Sequence, residues 1–124
     1  MAGAKVAAMK TIRTFPRAVR EIAHQIIAMP DGTELSARIW LPKDATKNPV
    51  PAILEHLPYR KRDGTIVRDA LTHPYFAGHG YACVRVDMRG NGDSQGLMHD
   101  EYSEQELQDA ESLIAWLRQQ PWCT

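Results

Sequence analysis

The stretch 81–96, YACVRVDMRGNGDSQG, constrains the fold more than any other part of the sequence, because an apolar run leads directly into a glycine-rich turn. Residues Tyr81–Val86 form a short, β-branched and almost uninterrupted run, which is typical of a strand covered on both faces in a parallel sheet. Open α/β sheets bind ligands at the carboxyl ends of their strands. We therefore search for function in the turn, whose polar side chains include Asp87, Arg89, Asp93 and Ser94.

The turn contains the pattern G-x-S-x-G at residues 92–96, which is also the pattern of a nucleophile elbow. An elbow places its serine on the turn that joins a strand directly to a helix. Ser94 instead lies seven residues past Asp87 and well before the next helical pattern, near Ser103. The elbow fold also orders its triad as serine, acid, histidine, and no acidic residue separates Ser94 from His99, the last histidine. We therefore predict that Ser94 is not a nucleophile.

Length and composition limit the chain to one domain, since it has 124 residues of which 44% are hydrophobic. Its 15 basic residues balance 15 acidic residues, so the net charge of zero gives no basic surface for nucleic acid. The N-terminal AKVAAMK is too short and too often interrupted by lysine for a signal sequence, and no stretch is long enough to span a membrane. We expect a cytoplasmic protein that binds neither nucleic acid nor a membrane.

The cysteines and histidines give no signal of a metal site. Cys83 and Cys123 are expected as free thiols, because disulfides are rare in chains without a secretory leader. The histidines lack the short spacings of metal ligands; they are His24, His56, His73, His79 and His99. We expect each histidine to be an ordinary surface or core residue and no metal to be bound.

The first half of the chain predicts an antiparallel hairpin. Residues 18–28 alternate loosely between apolar and polar, MPDGTE at 29–34 supplies an Asp-Gly turn, and residues 35–41 form the return strand. One face of the return strand is apolar and the other carries Ser36, Arg38 and Trp40, so we expect a half-solvated hairpin at a sheet edge.

The next segment predicts a strand and a loop. Residues 52–57 are expected to form a central strand, which Pro58 ends. The polar loop YRKRDG at 59–64 then lies at the carboxyl end of that strand, and we expect its three consecutive basic residues to be solvated.

Two helices follow in the prediction. Residues 67–79 have helical spacing interrupted by Pro74, so a short crossover helix, either intact or broken at Pro74, would link the strands at 52–57 and 81–86 into a right-handed βαβ unit. Residues 103–119 form the clearest helix, with a capping box of Ser103 and Glu106 and an apolar face of Leu107, Ala110, Ile114 and Leu117. A crossover helix normally returns the chain to another strand, so the sequence is expected to be truncated at its C-terminus.

Four segments together resemble the X-Pro dipeptidyl-peptidase and cocaine-esterase-like hydrolases: MPDGTELSARIWLP, PAILEHLPYRKRDG, HPYFAGHGYACVRVDMRGNGDSQG and AWLRQQPWCT. The resemblance implies an α/β fold, specifically a partial α/β-hydrolase sheet that stops before the nucleophile strand. It covers residues 15–124 as the N-terminal portion of the catalytic domain, behind a disordered leader at 1–14. In this family the nucleophile elbow follows this portion, and the catalytic aspartate and histidine come later, so all three lie outside the sequence.

The resemblance carries one catalytic residue over to this chain. In the family, the tyrosine after the third strand donates its hydroxyl to the oxyanion hole, and here that residue is Tyr59. A preorganised donor of this kind is worth about 2.7 to 4 kcal/mol of transition-state stabilisation. The glycine-rich turn from Asp87 to Ser94 is expected to be rigid structural support, with Asp93 or Ser94 bonding nearby backbone amides. It lacks the lysine and spacing of a phosphate cradle, and we expect no cofactor.

Three interpretations of function stay open at this point. The first is the N-terminal part of a serine hydrolase that cleaves a small ester, amide or short peptide through an acyl-enzyme, with this chain inactive by itself. The second is a short non-catalytic module that binds a partner through an open sheet edge, although we expect its helices to be too few to cover the strand at 81–86. The third is an enzyme that uses Ser94 with His24 or His73. An oligomer is compatible with each.

Overall fold

The computed structural model describes residues 14–62, 64–98 and 103–124. Its elements are β1 (Val19–Ala28), β2 (Glu34–Pro42), β3 (Ala52–Leu57), α1 (Ile66–Gly78), β4 (Ala82–Asp87) and α2 (Glu104–Arg118). Each predicted strand and helix is present within one or two residues of its expected ends. Helix α1 is continuous through Pro74, so of the two alternatives the helix is intact. The leader predicted at 1–14 lies outside the described residues except for Thr14.

The strands form one four-stranded mixed sheet in the order β1-β2-β4-β3. Strands β1 and β2 form the predicted antiparallel hairpin, β2 pairs antiparallel with β4, and β3 pairs parallel with β4. The βαβ unit is therefore confirmed. Strand β3 was expected at the centre of the sheet. It is instead the outer strand of the described sheet, with β4 as its one partner strand there.

The last residues of the chain lie beside the start of this outer edge. Val50 donates its N–H to Trp122 O at 3.0 Å and accepts from Thr124 N at 3.0 Å, which makes a parallel bridge between Val50 and Cys123. The next carbonyl, that of Pro51, accepts from Ala82 N on β4. Successive residues of a strand direct their backbone groups to opposite sides. The bridge therefore lies on the side of β3 that faces away from β4.

Both faces of the sheet are covered. On one face Leu113 and Leu117 of α2 pack with Val84 and Val86, and on the other Ala77 of α1 packs with Trp40 and Cys83. Every residue of β4 is buried, so the expectation that too few helices cover this strand is wrong. The half-solvated hairpin is also wrong for β2: Ser36 is 0% and Trp40 1% exposed, because β2 is an interior strand whose second face lies under α1.

The cap of α2 is confirmed, but its predicted apolar face is not. Ser103 is the N-cap, and its hydroxyl accepts from Glu106 N at 3.3 Å. The buried face consists of Asp109, Leu113 and Leu117, whereas Leu107 is 65% and Ile114 52% exposed. The predicted row and the observed one lie on neighbouring stripes of the helix and share Leu117 alone. Of the described helices, neither is long and apolar enough to cross a membrane.

Candidate functional site

The turn after β4 is organised by the carboxylate of Asp87, which is 1% exposed. Its Oδ1 accepts from Lys61 N at 2.7 Å and its Oδ2 accepts from Asp93 N at 2.9 Å. Gly92 has a φ of +50°, and a Cβ at this position would lie 2.3 Å from Asp87 Oδ2. A glycine is therefore required there by both its backbone conformation and the close approach of the carboxylate.

Ser94 has a structural role in this turn. Its hydroxyl donates to Asp87 O at 2.6 Å and accepts from Ser36 N at 2.8 Å, which joins the turn to β2. His24 contacts this network through Ser36, because its Nδ1 lies 2.8 Å from Ser36 Oγ, and it is not among the hydrogen-bond partners of the Ser94 hydroxyl. His73 lies on α1, and His99 is outside the described residues. Because the Ser94 hydroxyl both donates to and accepts from backbone groups, Ser94 is not arranged as an activated nucleophile.

The prediction that Asp93 or Ser94 bonds a backbone amide is confirmed for Ser94, whereas the side chain of Asp93 binds cations. It accepts from Lys61 Nζ at 2.7 Å and from Arg62 NH1 at 3.0 Å. Hydrogen bonding from Lys61 lowers the pKa of Asp93 below its usual value. Lys61 is 1% exposed, so the expected solvation of the basic loop is wrong at this residue. The contact attaches the loop after β3 to the turn after β4.

Arg89 ties the same turn to two other parts of the fold. Its Nε and NH2 donate to Asp109 of α2, both at 2.8 Å, in a bidentate pair. Its NH1 donates to Asp31 at 2.8 Å and to Thr33 at 2.7 Å, in the turn between β1 and β2. These contacts, with the Asp109 hydrogen bond the largest, raise the pKa of Arg89. The guanidinium is thus committed to carboxylates, in agreement with support and not with a phosphate cradle.

Tyr59 lies directly after Pro58 at the carboxyl end of β3. The residue is 60% exposed, and its hydroxyl has no hydrogen bond to any residue that the structure describes. Its backbone, in contrast, is held, since Tyr59 O accepts from Arg85 NH2 at 2.5 Å. A fixed backbone with an unengaged hydroxyl is the arrangement that a hydrogen-bond donor to a substrate needs.

The structure also assembles a cluster that the sequence analysis missed: Glu55, Asp69 and His73 each direct one ligand atom to within 4.8 Å of the others. Both carboxylates already contact guanidinium groups. Arg68 NH2 lies 2.6 Å from Glu55 Oε2 and 2.9 Å from Asp69 Oδ1, and Arg85 NH1 lies 3.4 Å from Glu55 Oε2. Burial lowers the pKa of His73 and favours its neutral form. The cluster is therefore a charge-balanced ion network; its signals were the i, i+4 spacing of Asp69 and His73 and the arginine inside the apolar strand.

A cleft of about 380 Å³ opens between β3 and the start of α2, with His56, Met88, Met98, Glu106 and Asp109 among its lining residues. His56 Nε2 is buried there without a hydrogen bond to the described residues. Burial lowers the pKa of His56 more than the carboxylates of Asp109 and Glu106 raise it. The imidazole is thus neutral at the cleft wall near neutral pH.

The two thiols are free, and burial raises the pKa of Cys83 to about 12, which makes it unreactive.

Comparison with known proteins identifies the family. The sequence model of the X-Pro dipeptidyl-peptidase (S15) family matches residues 31–124. The chain belongs to the S15 family. The resemblance found in the sequence is therefore confirmed, and the S15 match includes β2, β3, β4 and both helices.

Relatives of this S15 chain include a Mycobacterium bovis protein provisionally named a serine esterase, which is 31% identical over 113 residues. That alignment covers 78% of this chain and 18% of the relative, so the chain spans about a fifth of the length of the curated relatives it matches. A CocE/NonD family hydrolase from Staphylococcus aureus has a TM-score of 0.70 at 22% identity, over 84% of this chain and 21% of that one. An α-amino acid ester hydrolase has a TM-score of 0.64 at 23% identity, over 99% and 22%. These likenesses confirm a partial α/β-hydrolase fold.

Proposed function

We propose that this chain is the N-terminal portion of the catalytic domain of a serine hydrolase that cleaves esters or amides through an acyl-enzyme. The observation that carries the proposal is the parallel bridge between Val50 and Cys123 on the outer edge of β3. A parallel strand that continues in this register would run beside β3. Leu57 lies seven residues beyond Val50, so such a strand would end about seven residues beyond Cys123, next to Tyr59.

Catalysis then takes place where these strands end. The turn after the added strand would present the nucleophilic serine, whose attack on the substrate carbonyl makes a tetrahedral oxyanion. The Tyr59 hydroxyl donates a hydrogen bond to that oxyanion and stabilises the transition state. Collapse of the intermediate leaves an acyl-enzyme, which water hydrolyses. The nucleophile, the acid and the histidine are supplied by residues beyond this chain, so the 124-residue chain by itself is inactive.

The names of the relatives support a proposal for the class of substrate. The names of the matched proteins include a serine esterase and an α-amino acid ester hydrolase, and the family name refers to X-Pro dipeptides. We therefore propose a small ester, amide or short peptide as substrate. A cytoplasmic location remains a prediction from the sequence.

The second candidate is a non-catalytic module that binds a partner through the open edge of β3. The exposed apolar side chain of Ile53 on β3 supports it, since this residue is 36% exposed. A continuation of the sheet accounts for the same exposure, because a strand and helix added beside β3 would cover apolar side chains at this edge. One experiment separates the two candidates.

The experiment uses the protein at its natural length and a fluorophosphonate probe that labels activated serines. We expect labelling of a serine beyond Thr124, unchanged labelling in Ser94→Ala, and none of the 124-residue chain alone. Tyr59→Phe should lower kcat for a p-nitrophenyl ester by about 10²- to 10³-fold. Tyr81→Phe is the matched control: its ring is also partly exposed, at 38%, but it precedes β4 at the opposite end of the sheet.

Two results would contradict the proposal. A natural-length protein that the probe does not label would favour the binding module. A label that disappears in Ser94→Ala would instead support the interpretation in which Ser94 is the nucleophile. If labelling occurs as expected but Tyr59→Phe retains full kcat, the hydrolase assignment survives and the oxyanion role of Tyr59 is wrong.

A further inference from the structure

Two side chains of β4 form hydrogen bonds to the backbone of the segment that carries Tyr59. Arg85 and Asp87 are two residues apart and therefore project from the same face of the strand. Arg85 NH2 donates to Tyr59 O at 2.5 Å, and Asp87 Oδ1 accepts from Lys61 N at 2.7 Å. A buried donor thus holds one carbonyl and a buried acceptor holds one amide, on either side of Arg60.

Burying the charged side chain of Arg85 has a desolvation cost. Its side chain is 0% exposed, and burial lowers the pKa of its guanidinium. The carboxylates of Glu55 and Asp69 compensate its charge imperfectly, at 3.4 Å and 3.7 Å, and Arg85 Nε has no hydrogen bond to the described residues. The shortest bond of the guanidinium is the one to Tyr59 O. Replacing a buried ion pair by apolar residues is often neutral or stabilising, so stability alone gives a weak reason for an arginine here.

The Tyr59 side chain depends on its backbone for position. The residue is 60% exposed, and its hydroxyl has no partner in the described part of the chain. An oxyanion donor acts at 2.7 to 3.1 Å from the developing charge, and a misplacement of about 1 Å can lower a rate about 100-fold. The contacts that fix the Tyr59 peptide therefore govern the direction in which the phenol points.

We propose that Arg85 is a positioning residue for catalysis, which acts with Asp87 to hold the Tyr59 peptide so that the phenol is preorganised toward the oxyanion. This inference rests on the proposed oxyanion role of Tyr59. The carboxylates of Glu55 and Asp69 favour the charged form of the buried Arg85 guanidinium. Arg85 itself does not touch the substrate.

The test is a double-mutant cycle in the natural-length enzyme with a p-nitrophenyl ester, using active-site concentrations from phosphonate titration. Arg85→Lys keeps the positive charge but lacks the planar fork that reaches Tyr59 O and Glu55 together. We expect kcat to fall about 10- to 100-fold while KM changes less than about twofold. In a Tyr59→Phe background the same substitution should change kcat less than about twofold, because the hydroxyl that it positions is absent.

Arg68→Lys is the matched control, since Arg68 contacts the same two carboxylates without contacting Tyr59. Its kcat should equal that of the unmodified enzyme. If Arg85→Lys does not fold, Asp87→Asn provides the same cycle, with the same expected dependence on Tyr59, because it weakens the second hold on the segment.

The outcomes distinguish this inference from the proposed function. Equal losses of kcat in the Tyr and Phe backgrounds, or an equal loss in Arg68→Lys, would mean that Arg85 is merely structural and would overturn the inference alone. Full activity in Tyr59→Phe would overturn the oxyanion role and this inference with it. A loss of kcat that requires both Arg85 and the Tyr59 hydroxyl supports both.

Discussion

Replacing Arg89 by methionine should be among the most destabilising changes outside the apolar core. Arg89 joins the turn between β1 and β2, the turn after β4 and helix α2. Methionine has a similar aliphatic length but no charge and no donor. Asp109, which is 2% exposed, would lose two hydrogen bonds of 2.8 Å and keep one from Gln105 Nε2 at 3.0 Å.

The magnitude follows from the burial of Asp109. Removing one partner of a buried ion pair costs about 3–5 kcal/mol, since the other charge is left uncompensated. The remaining bond from Gln105 places the expected loss near the lower end, at about 3 kcal/mol. Asp31, the other carboxylate partner, is 51% exposed, so water replaces most of its interaction. Asp31→Asn should therefore lose much less stability than Arg89→Met.

The assay is urea denaturation of the natural-length protein, monitored by tryptophan fluorescence; Trp116 lies on α2 and Trp122 lies four residues after its last residue. The double variant Arg89→Met/Asp109→Leu should recover about 2 kcal/mol of the loss, because an apolar pair leaves no buried charge unpaired. The reasoning is refuted if Arg89→Met costs less than about 1 kcal/mol, or if Asp31→Asn costs as much as Arg89→Met.

Two further predictions concern the helices. Leu113 is 0% exposed, so Leu113→Ala should destabilise the protein by about 3–5 kcal/mol in thermal unfolding. Leu107 is 65% exposed, so Leu107→Ala should change the stability by about 0.5 kcal/mol or less. Similar losses in the two variants would mean that the buried face of α2 is misassigned. Burial holds the pKa of His73 below its ordinary 6.5, so the unfolded chain takes up a proton first and stability should fall as pH decreases from 6.5 toward the folded pKa. Between about pH 7.5 and about pH 5.5, the urea midpoint should decrease less in His73→Gln than in the unsubstituted protein, because only the contribution of His56 to the pH dependence is retained. An equal decrease of the midpoint in both proteins would contradict this prediction.

Local pattern predicted most of the secondary structure. The Asp-Gly turn, the apolar run before Asp87 and the Ser103 cap are determined by neighbours in the sequence, and the structure has an element at each. The rejection of Ser94 also needed local spacing alone, and its hydroxyl is bonded to backbone groups. In contrast, periodicity assigned Trp40 to a solvated face and Leu107 to a buried one, because it cannot tell what packs against each face.

The sequence by itself determined the order of strands and helices, the family and the candidate Tyr59, since these depend on short-range pattern and on recognisable motifs. The tertiary structure alone decided which polar groups are buried together. Arg85, Lys61 and Asp109 are charged residues that a sequence places at the surface by default. They are buried here because partners distant in the chain lie opposite them: Glu55 for Arg85, Asp93 for Lys61 and Arg89 for Asp109. Such pairings arise from the folding of the sheet, and no local pattern encodes them.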